Sequence, residues 1–307
     1  MSNLLSELGK KLAERWLSLL VLPGALYLAV AFAATALGHE HAFDVPLLAW
    51  AVGDQAASPA VASTGGQVVV LLAVLGAAAS LGLAAQALGS LWERVVLAAG
   101  WQSWPGPFAK LAGALVGFRR RRWDNLSETV REHQRKVMLP GQDDRPNSLL
   151  RHRTAQRRLR IAAERPERPT WSGDRIHAVA LRLDRQYHLD LFGLWPHLWL
   201  VLPESVRAEV TAARTDLSRA ATLAGWAVLY VPLAWWWWPA ALIGAVIAAV
   251  ARHRFRVSAD AYAQSLEAAA RVHAVTLATE LGVEHTGPLN AELGDRLYGL
   301  LAPPPPD

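Results

Sequence analysis

Residues 220–251 read AATLAGWAVLYVPLAWWWWPAALIGAVIAAVA, 32 residues without Lys, Arg, Asp or Glu, and Arg252, Arg254 and Arg256 follow at once. As one straight α-helix the stretch is about 48 Å long, well beyond a hydrocarbon core of about 30 Å. A single crossing also carries the three arginines to the far side, against the retention of basic residues on the cytoplasmic face. Trp235 to Trp238, followed by Pro239, stand at the midpoint and supply an interfacial aromatic cluster and a helix breaker. The pattern predicts two short helices joined by a tight turn at the outer surface. Each half spans only about 22 Å. Extension into the flanks, local thinning, snorkelling of Arg219 and Arg252, or a re-entrant hairpin must then make up the difference. One kinked helix is the alternative.

Working outward, all 31 Lys and Arg residues lie outside Trp16–Glu93 and Ala220–Ala251. Trp16 to Gly38 is a run of 23 uncharged residues, about 34 Å of helix and a first expected span. Lys10, Lys11 and Arg15 immediately precede it and hold the N-terminus inside. Leu4, Leu5, Leu8 and Leu12 recur beside them at helical spacing, which predicts an interfacial helix over residues 1–15. A secretory signal ending near Ala34-Thr35-Ala36 is the competing reading, but the apolar run exceeds the roughly 7 to 15 residues typical of such signals. Glu40, Asp44 and Asp54 are the formal charges before Glu93, as expected of a translocated loop. A second span is expected over Val68 to Leu91. Within it Gly76 with Ser80, and Ala78 with Gly82, repeat at fourfold spacing, so Gly76, Ser80 and Gly82 are candidate positions for close helix packing. Chance pairing in an Ala-rich sequence is the plain alternative.

Composition agrees with this reading. A 307-residue chain that is 52% hydrophobic, with mean hydropathy +0.17 and 14 Trp, is too apolar for an ordinary soluble domain. Cysteine is absent, which excludes disulfides, thiolate nucleophiles and Cys-based zinc sites. Of the basic residues only Lys10, Lys11, Lys110 and Lys136 are lysines, a bias that points to a high-GC bacterial genome.

The expected fold class is therefore all-α: a polytopic membrane protein with four transmembrane helices, two plus a short hairpin, and a helical cytoplasmic domain. Its divisions are an interfacial helix at 1–15, a first transmembrane pair with an external loop at 16–93, and a basic cytoplasmic domain at 94–219. A second transmembrane hairpin at 220–251 and cytoplasmic helices with a Pro tail at 252–307 complete it. The expected location is the cytoplasmic (inner) membrane, multi-pass, with both termini cytoplasmic.

Basic character is concentrated in the central domain. Arg119 to Arg185 hold 18 Lys plus Arg against 9 Asp plus Glu, while the whole chain has a net charge of only +5. Arg119, Arg120, Arg121 and Arg122 run into Trp123, and Arg157, Arg158 and Arg160 form a second cluster. These eight residues are the candidate lipid- or partner-binding set. Anionic lipid headgroups need only the adjacency to membrane already inferred, at about 1 kcal/mol per basic residue. An unidentified cytoplasmic protein is the next partner class, and nucleic acid the least favoured, because no helix-turn-helix, RNA-recognition or zinc-finger pattern positions the charge. Pure topological orientation is the bland explanation. Helices are expected over Asn147–Ala163, Thr170–Leu189 with Asp174 favourable to its dipole, and from Glu204 into the third span. The Leu194–Pro203 phrase is too short to span and should pack at the inner interface or cap the domain core. Beyond Arg256 a helix carrying Tyr262, Leu266, Ala270, His273, Leu277 and Leu281 as its apolar stripe should stop at Gly282.

Site chemistry is sparse. His39-Glu40-His41 lacks a fourth metal ligand at a recognisable spacing, and His177, His188 and His197 follow no ligand logic. Glu280, Glu284 and His285 are explained by a solvated helix end. Neither a nucleophile elbow, a Walker A loop nor a dinucleotide glycine fingerprint is present, and no cofactor is called for. The charge-free stretches also lack the ionisable groups of a proton relay, which disfavours a secondary transporter.

Arg168-Pro169-Thr170-Trp171-Ser172-Gly173-Asp174-Arg175, with Leu189-Asp190-Leu191 and the Leu194–Pro203 phrase, resembles an uncharacterised family of integral membrane proteins from high-GC Gram-positive bacteria. The resemblance covers the C-terminal half and brings no activity or catalytic residues with it. The leading expectation is a non-enzymatic inner-membrane protein whose basic cytoplasmic domain binds partner proteins or anionic lipid, with homo-oligomerisation open. A membrane-permeabilising effector of an anti-phage system and a lipid-modifying membrane enzyme are the alternatives.

Overall fold

The computed structural model describes residues 21–58, 63–137 and 144–301, and within them the protein is all helical: ten α-helices, 83% helix and no strand. They are α1 (Leu22–Leu37), α2 (Val45–Ala56), α3 (Thr64–Leu97), α4 (Gly106–Val137), α5 (Asp144–Ile161), α6 (Trp171–Tyr187), α7 (Leu191–Val201), α8 (Glu204–Leu233), α9 (Pro239–Glu280) and α10 (Ala291–Leu301). The expected helix over residues 1–15, the start of the first span and the Pro303–Pro306 tail lie outside the described residues. The chain divides into two units, Met1–Trp92 with Ser218–His253, and Glu93–Leu217 with Arg254–Asp307. Helices α3, α8 and α9 each contribute residues to both.

In the first unit, local chemistry sets the helix ends. Pro23 lies in the first turn of α1, where its missing N–H is harmless, and Gly38 at φ +61° ends the helix in a conformation that glycine tolerates. Asp44 caps α2 by accepting a hydrogen bond from the Leu47 amide at 2.9 Å. The 220–251 stretch is broken where the sequence predicts: α8 ends at Leu233 and Pro239 opens α9. The two ends fold back on each other, since Tyr230, Leu233 and Ala240 share a core with Trp237, Ile243 and Ile247, and with Tyr27, Val30 and Ala31 of α1. The Tyr27 hydroxyl donates to Leu229 O at 3.0 Å, and its ring meets Tyr230 edge-on at 5.2 Å. The tryptophan turn is held on the segment after α1: Trp237 Nε1 donates to Ala42 O at 3.1 Å, a His39 ring nitrogen pairs with Trp235 O at 2.8 Å, and Phe43 meets Trp238 edge-on. Trp235, by contrast, is 82% exposed.

Small residues on α3 set how closely its neighbours approach. Ala78, Gly82, Ala85 and Gly89 are buried at spacings of four, three and four. A Cβ on Gly24 of α1 would lie 2.1 Å from Ala78 O, one on Gly225 of α8 would lie 2.0 Å from Ala85 O, and one on Gly89 would lie 2.7 Å from Ala221 O. Backbones in such contact gain close dispersion packing that larger side chains forbid.

Among the described residues one helix, α3, is long and apolar enough to cross a membrane by length and composition, and only 17% of its apolar window is buried. A helix at the centre of a soluble core buries most of such a window, and Val69, Leu71 and Leu72 here are more than half exposed. This is compatible with membrane association. The count of four spans is not reached by that criterion, because α1 has 16 described residues and the charge-free halves of α8 and α9 adjoin Arg219 and Arg252.

The second unit has a conventional helical core. Leu183 of α6, Leu191, Leu194 and Leu198 of α7, Ala270 and Leu277 of α9, and Leu293 and Leu297 of α10 are all under 5% exposed and pack together. Each buried leucine contributes about 1.5 to 3 kcal/mol of transfer free energy. The apolar phrase at Leu194 thus forms part of this core. The α9 stripe keeps Leu266, Ala270 and Leu277 buried as expected, but at two positions the burial moves one residue on: Ala263 and Ala274 are buried, while Tyr262 and His273 are half-buried. At those two positions alanine lets the helix approach its neighbours closely, and the larger Tyr262 and His273 beside them stay at the edge of the contact.

Candidate anion-binding site

The Arg168–Arg175 motif is a structural joint. Thr170 caps α6, accepting from the Gly173 amide at 3.1 Å, and its hydroxyl donates to Val96 O near the end of α3. A Cβ on Gly173 would lie 2.6 Å from Leu97 O, so only glycine admits the α3 carboxyl end here. Trp171 lies under the Arg256 guanidinium at 4.4 Å, and Arg175 pairs with Asp260 of α9. Asp174 is 5% exposed and accepts both the Glu167 and Arg168 amides on Oδ1, at 2.9 and 2.7 Å. Its role therefore exceeds the dipole contact expected of it, since it closes the loop that precedes its own helix.

That loop, residues 162–170, receives the first part of the four-arginine run. Arg119 Nη1 donates to Arg168 O at 2.6 Å and Nη2 donates to Ile161 O at 2.6 Å. Nη1 also lies 2.6 Å from Asp174 Oδ2, an ion pair without hydrogen-bond alignment. Arg120 Nε donates to Pro166 O at 2.7 Å, and Trp123 Nε1 donates to Ala162 O at 3.2 Å, with the Arg158 guanidinium 5.3 Å from its ring centre. Burial lowers the Arg119 pKa, opposed by the Asp174 charge, and raises that of Asp174 against the lowering by Arg119 and the two amides. Arginine nevertheless stays protonated. Arg119, Arg120 and Trp123 therefore hold α4 to the end of α5 and its following loop through these hydrogen bonds, while Arg158 meets the Trp123 ring and its buried Nε has no hydrogen-bond partner among the described residues.

Arg121, Arg122, Arg157 and Arg160 remain exposed. Three of these gather: Arg122 from α4 with Arg157 and Arg160 from α5 line a groove of about 580 Å³ whose other walls are Asn125, Leu126 and Ile161. The reason is periodicity. Positions 122, 125 and 126 share one face of α4, as 157, 160 and 161 share one face of α5. Among the described residues no carboxylate lines the groove, and none of its arginines pairs with a described residue. Arg165 illustrates the contrast, bridging Asp124 at 3.0 Å outside it, and Arg182 and Arg185 pair with Glu267 and Glu164. Sequence reasoning missed Asn125, Leu126 and Ile161. Their signal is the i+3 and i+4 spacing of Asn125 and Leu126 from Arg122, and the i+4 spacing of Ile161 from Arg157.

The other candidates disperse. Gly76 and Ser80 lie on an exposed face of α3, with nothing within 4 Å of a Cβ on Gly76, and the Ser80 hydroxyl donates to Gly76 O at 2.8 Å. Gly82 belongs to the buried line with Ala78. His177 meets Glu167 at 2.9 Å, His188 meets Asp295 at 2.9 Å, and His197 is exposed. Among the described residues no group of three or more His, Asp or Glu side chains has the placement to hold a metal ion.

Comparison with protein-family models, with curated proteins and with solved structures finds no match to this chain.

Proposed function

We propose that this chain is a non-enzymatic, multi-pass protein of the bacterial cytoplasmic membrane, crossing through residues 16–93 and the 220–251 hairpin with both termini cytoplasmic. Its basic unit binds anionic lipid or an acidic face of a partner protein. The observation that supports this reading is the partition of the arginines. Arg119, Arg120 and Arg165 find carbonyl or carboxylate partners, whereas Arg122, Arg157 and Arg160 are left together around one groove. Unneutralised guanidinium groups in one place repel each other and persist most economically where an anion offsets them. For the spans, α8 and α9 continue as helix past both charge-free halves, which supplies the length that each half lacks.

The test uses the full chain in detergent, offered vesicles of phosphatidylcholine alone or doped with phosphatidylglycerol. Preferential capture by the doped vesicles, weakening as salt rises, is expected. Equal capture by both, together with no protein cross-linked to the basic unit in cells, overturns the reading.

A further inference from the structure

The 122/157/160 groove has a composition that selects among anions. Its three cations stand beside Leu126 and Ile161, and Asn125 adds a neutral donor and acceptor. On the same α4 face, one turn before Arg122, Phe118 is 62% exposed, and on the same α5 face, two turns before Arg157, Leu150 is 46% exposed. A groove built for a fully hydrated anion has no use for aliphatic walls or apolar neighbours. A polyanionic strand calls for a long basic track with stacking aromatics, and the apolar positions here interrupt such a track. An acidic protein face would meet three arginines in a concave site with carboxylates, which the groove fits less well than a single compact phosphate. Arginine forks bind phosphate oxygens bidentately, and aliphatic side chains accept the glycerol and first acyl carbons that follow.

We propose that this groove seats the phosphate of one anionic phospholipid, with its glycerol and proximal acyl carbons on Leu126 and Ile161. The inference rests on the reading of the basic unit as a binder of anionic ligands and names the ligand class and the residues. Arg119, Arg120 and Arg158 do not line the groove: the first two donate to the loop, and Arg158 lies against the Trp123 ring.

The experiment is native mass spectrometry of the full chain in detergent, titrated with phosphatidic acid, phosphatidylglycerol or phosphatidylcholine. At about fivefold per arginine, Arg122→Gln, Arg157→Gln and Arg160→Gln together lower the preference for the two anionic lipids roughly 100-fold. A control of equal charge, Arg121→Gln with Arg131→Gln and Arg135→Gln, is expected to keep most of it. If the groove variant retains the wild-type preference, the groove assignment falls and the wider reading stands. If the wild type shows no preference for anionic lipid, both fall. Inorganic phosphate, offered without lipid, is the second arm: capture that is as sensitive to the triple substitution as lipid binding makes the groove a free-anion site and overturns the lipid assignment. Arg→Lys at the same three positions keeps the charge but loses the planar fork, and is expected to restore only part of the preference. Should the lysine variant match the wild type in full, charge alone holds the lipid and the bidentate seat is overturned.

Discussion

Arg119 and Arg122 are one helical turn apart and meet opposite fates. Arg119 is 14% exposed and holds two carbonyls and a carboxylate, so Arg119→Ala leaves Asp174 buried without its cation and should cost about 3 kcal/mol. Arg122→Ala removes no contact of that kind and should stay within about 0.5 kcal/mol. Chemical or thermal unfolding of the two variants in the same detergent separates them. Asp174 gives a further expectation with a definite sign. Burial holds its folded pKa above the ordinary carboxylate value. The folded state therefore keeps its proton longer than the unfolded state, and this group's contribution to stability is greatest below the ordinary value and falls as pH rises through the raised one. Melting temperatures of wild type and Asp174→Asn, compared across acid pH, should show the wild type losing ground to the variant as pH increases. The opposite slope would mean that Arg119 and the two amides outweigh burial.

Elements show where local sequence suffices. Four tryptophans followed by proline end one helix and start the next because proline has no N–H to donate and is at ease in a first turn, and the break between α8 and α9 falls there. Thr170, Gly282 and the start of α8 at Glu204 were legible for the same reason, being stop and start signals that act within a few residues. Packing faces were less legible. Two small-residue pairs on α3 look alike in sequence, yet Ala78 with Gly82 is buried and Gly76 with Ser80 is exposed. Gly225→Ala should destabilise by about 1 to 3 kcal/mol because its methyl meets the Ala85 carbonyl. Gly76→Ala meets nothing and should be neutral or stabilising by up to about 1 kcal/mol. Thermal unfolding in detergent reads both, and a destabilised Gly76 variant would place an unseen neighbour on that face.

At the scale of the whole molecule, the distribution of 31 basic residues outside two long stretches is the dominant feature, and it yields a topology experiment. Reporter fusions at Ala57 and Trp237 should register outside, and those at Thr170 and the C-terminus inside. Alkaline carbonate should leave the chain in the membrane pellet. An inside signal at Trp237 with retention in the pellet would make the 220–251 hairpin re-entrant, and release by carbonate would remove the membrane reading altogether.

By itself the sequence determined the helical class, the position of the central break and the place where positive charge accumulates, because hydrophobic runs, prolines, caps and charge are properties of neighbouring residues. Only the tertiary structure decided which of those charges are already spent. Neutralising a guanidinium depends on carbonyls and carboxylates brought from tens of residues away, as Arg168 O, Ile161 O and Asp174 are brought to Arg119. The eight candidate residues thus divide into a half-buried joint (Arg119, Arg120, Trp123, Arg158), an open groove (Arg122, Arg157, Arg160) and Arg121 exposed outside both, and the division follows from which face of each helix the fold turns inward.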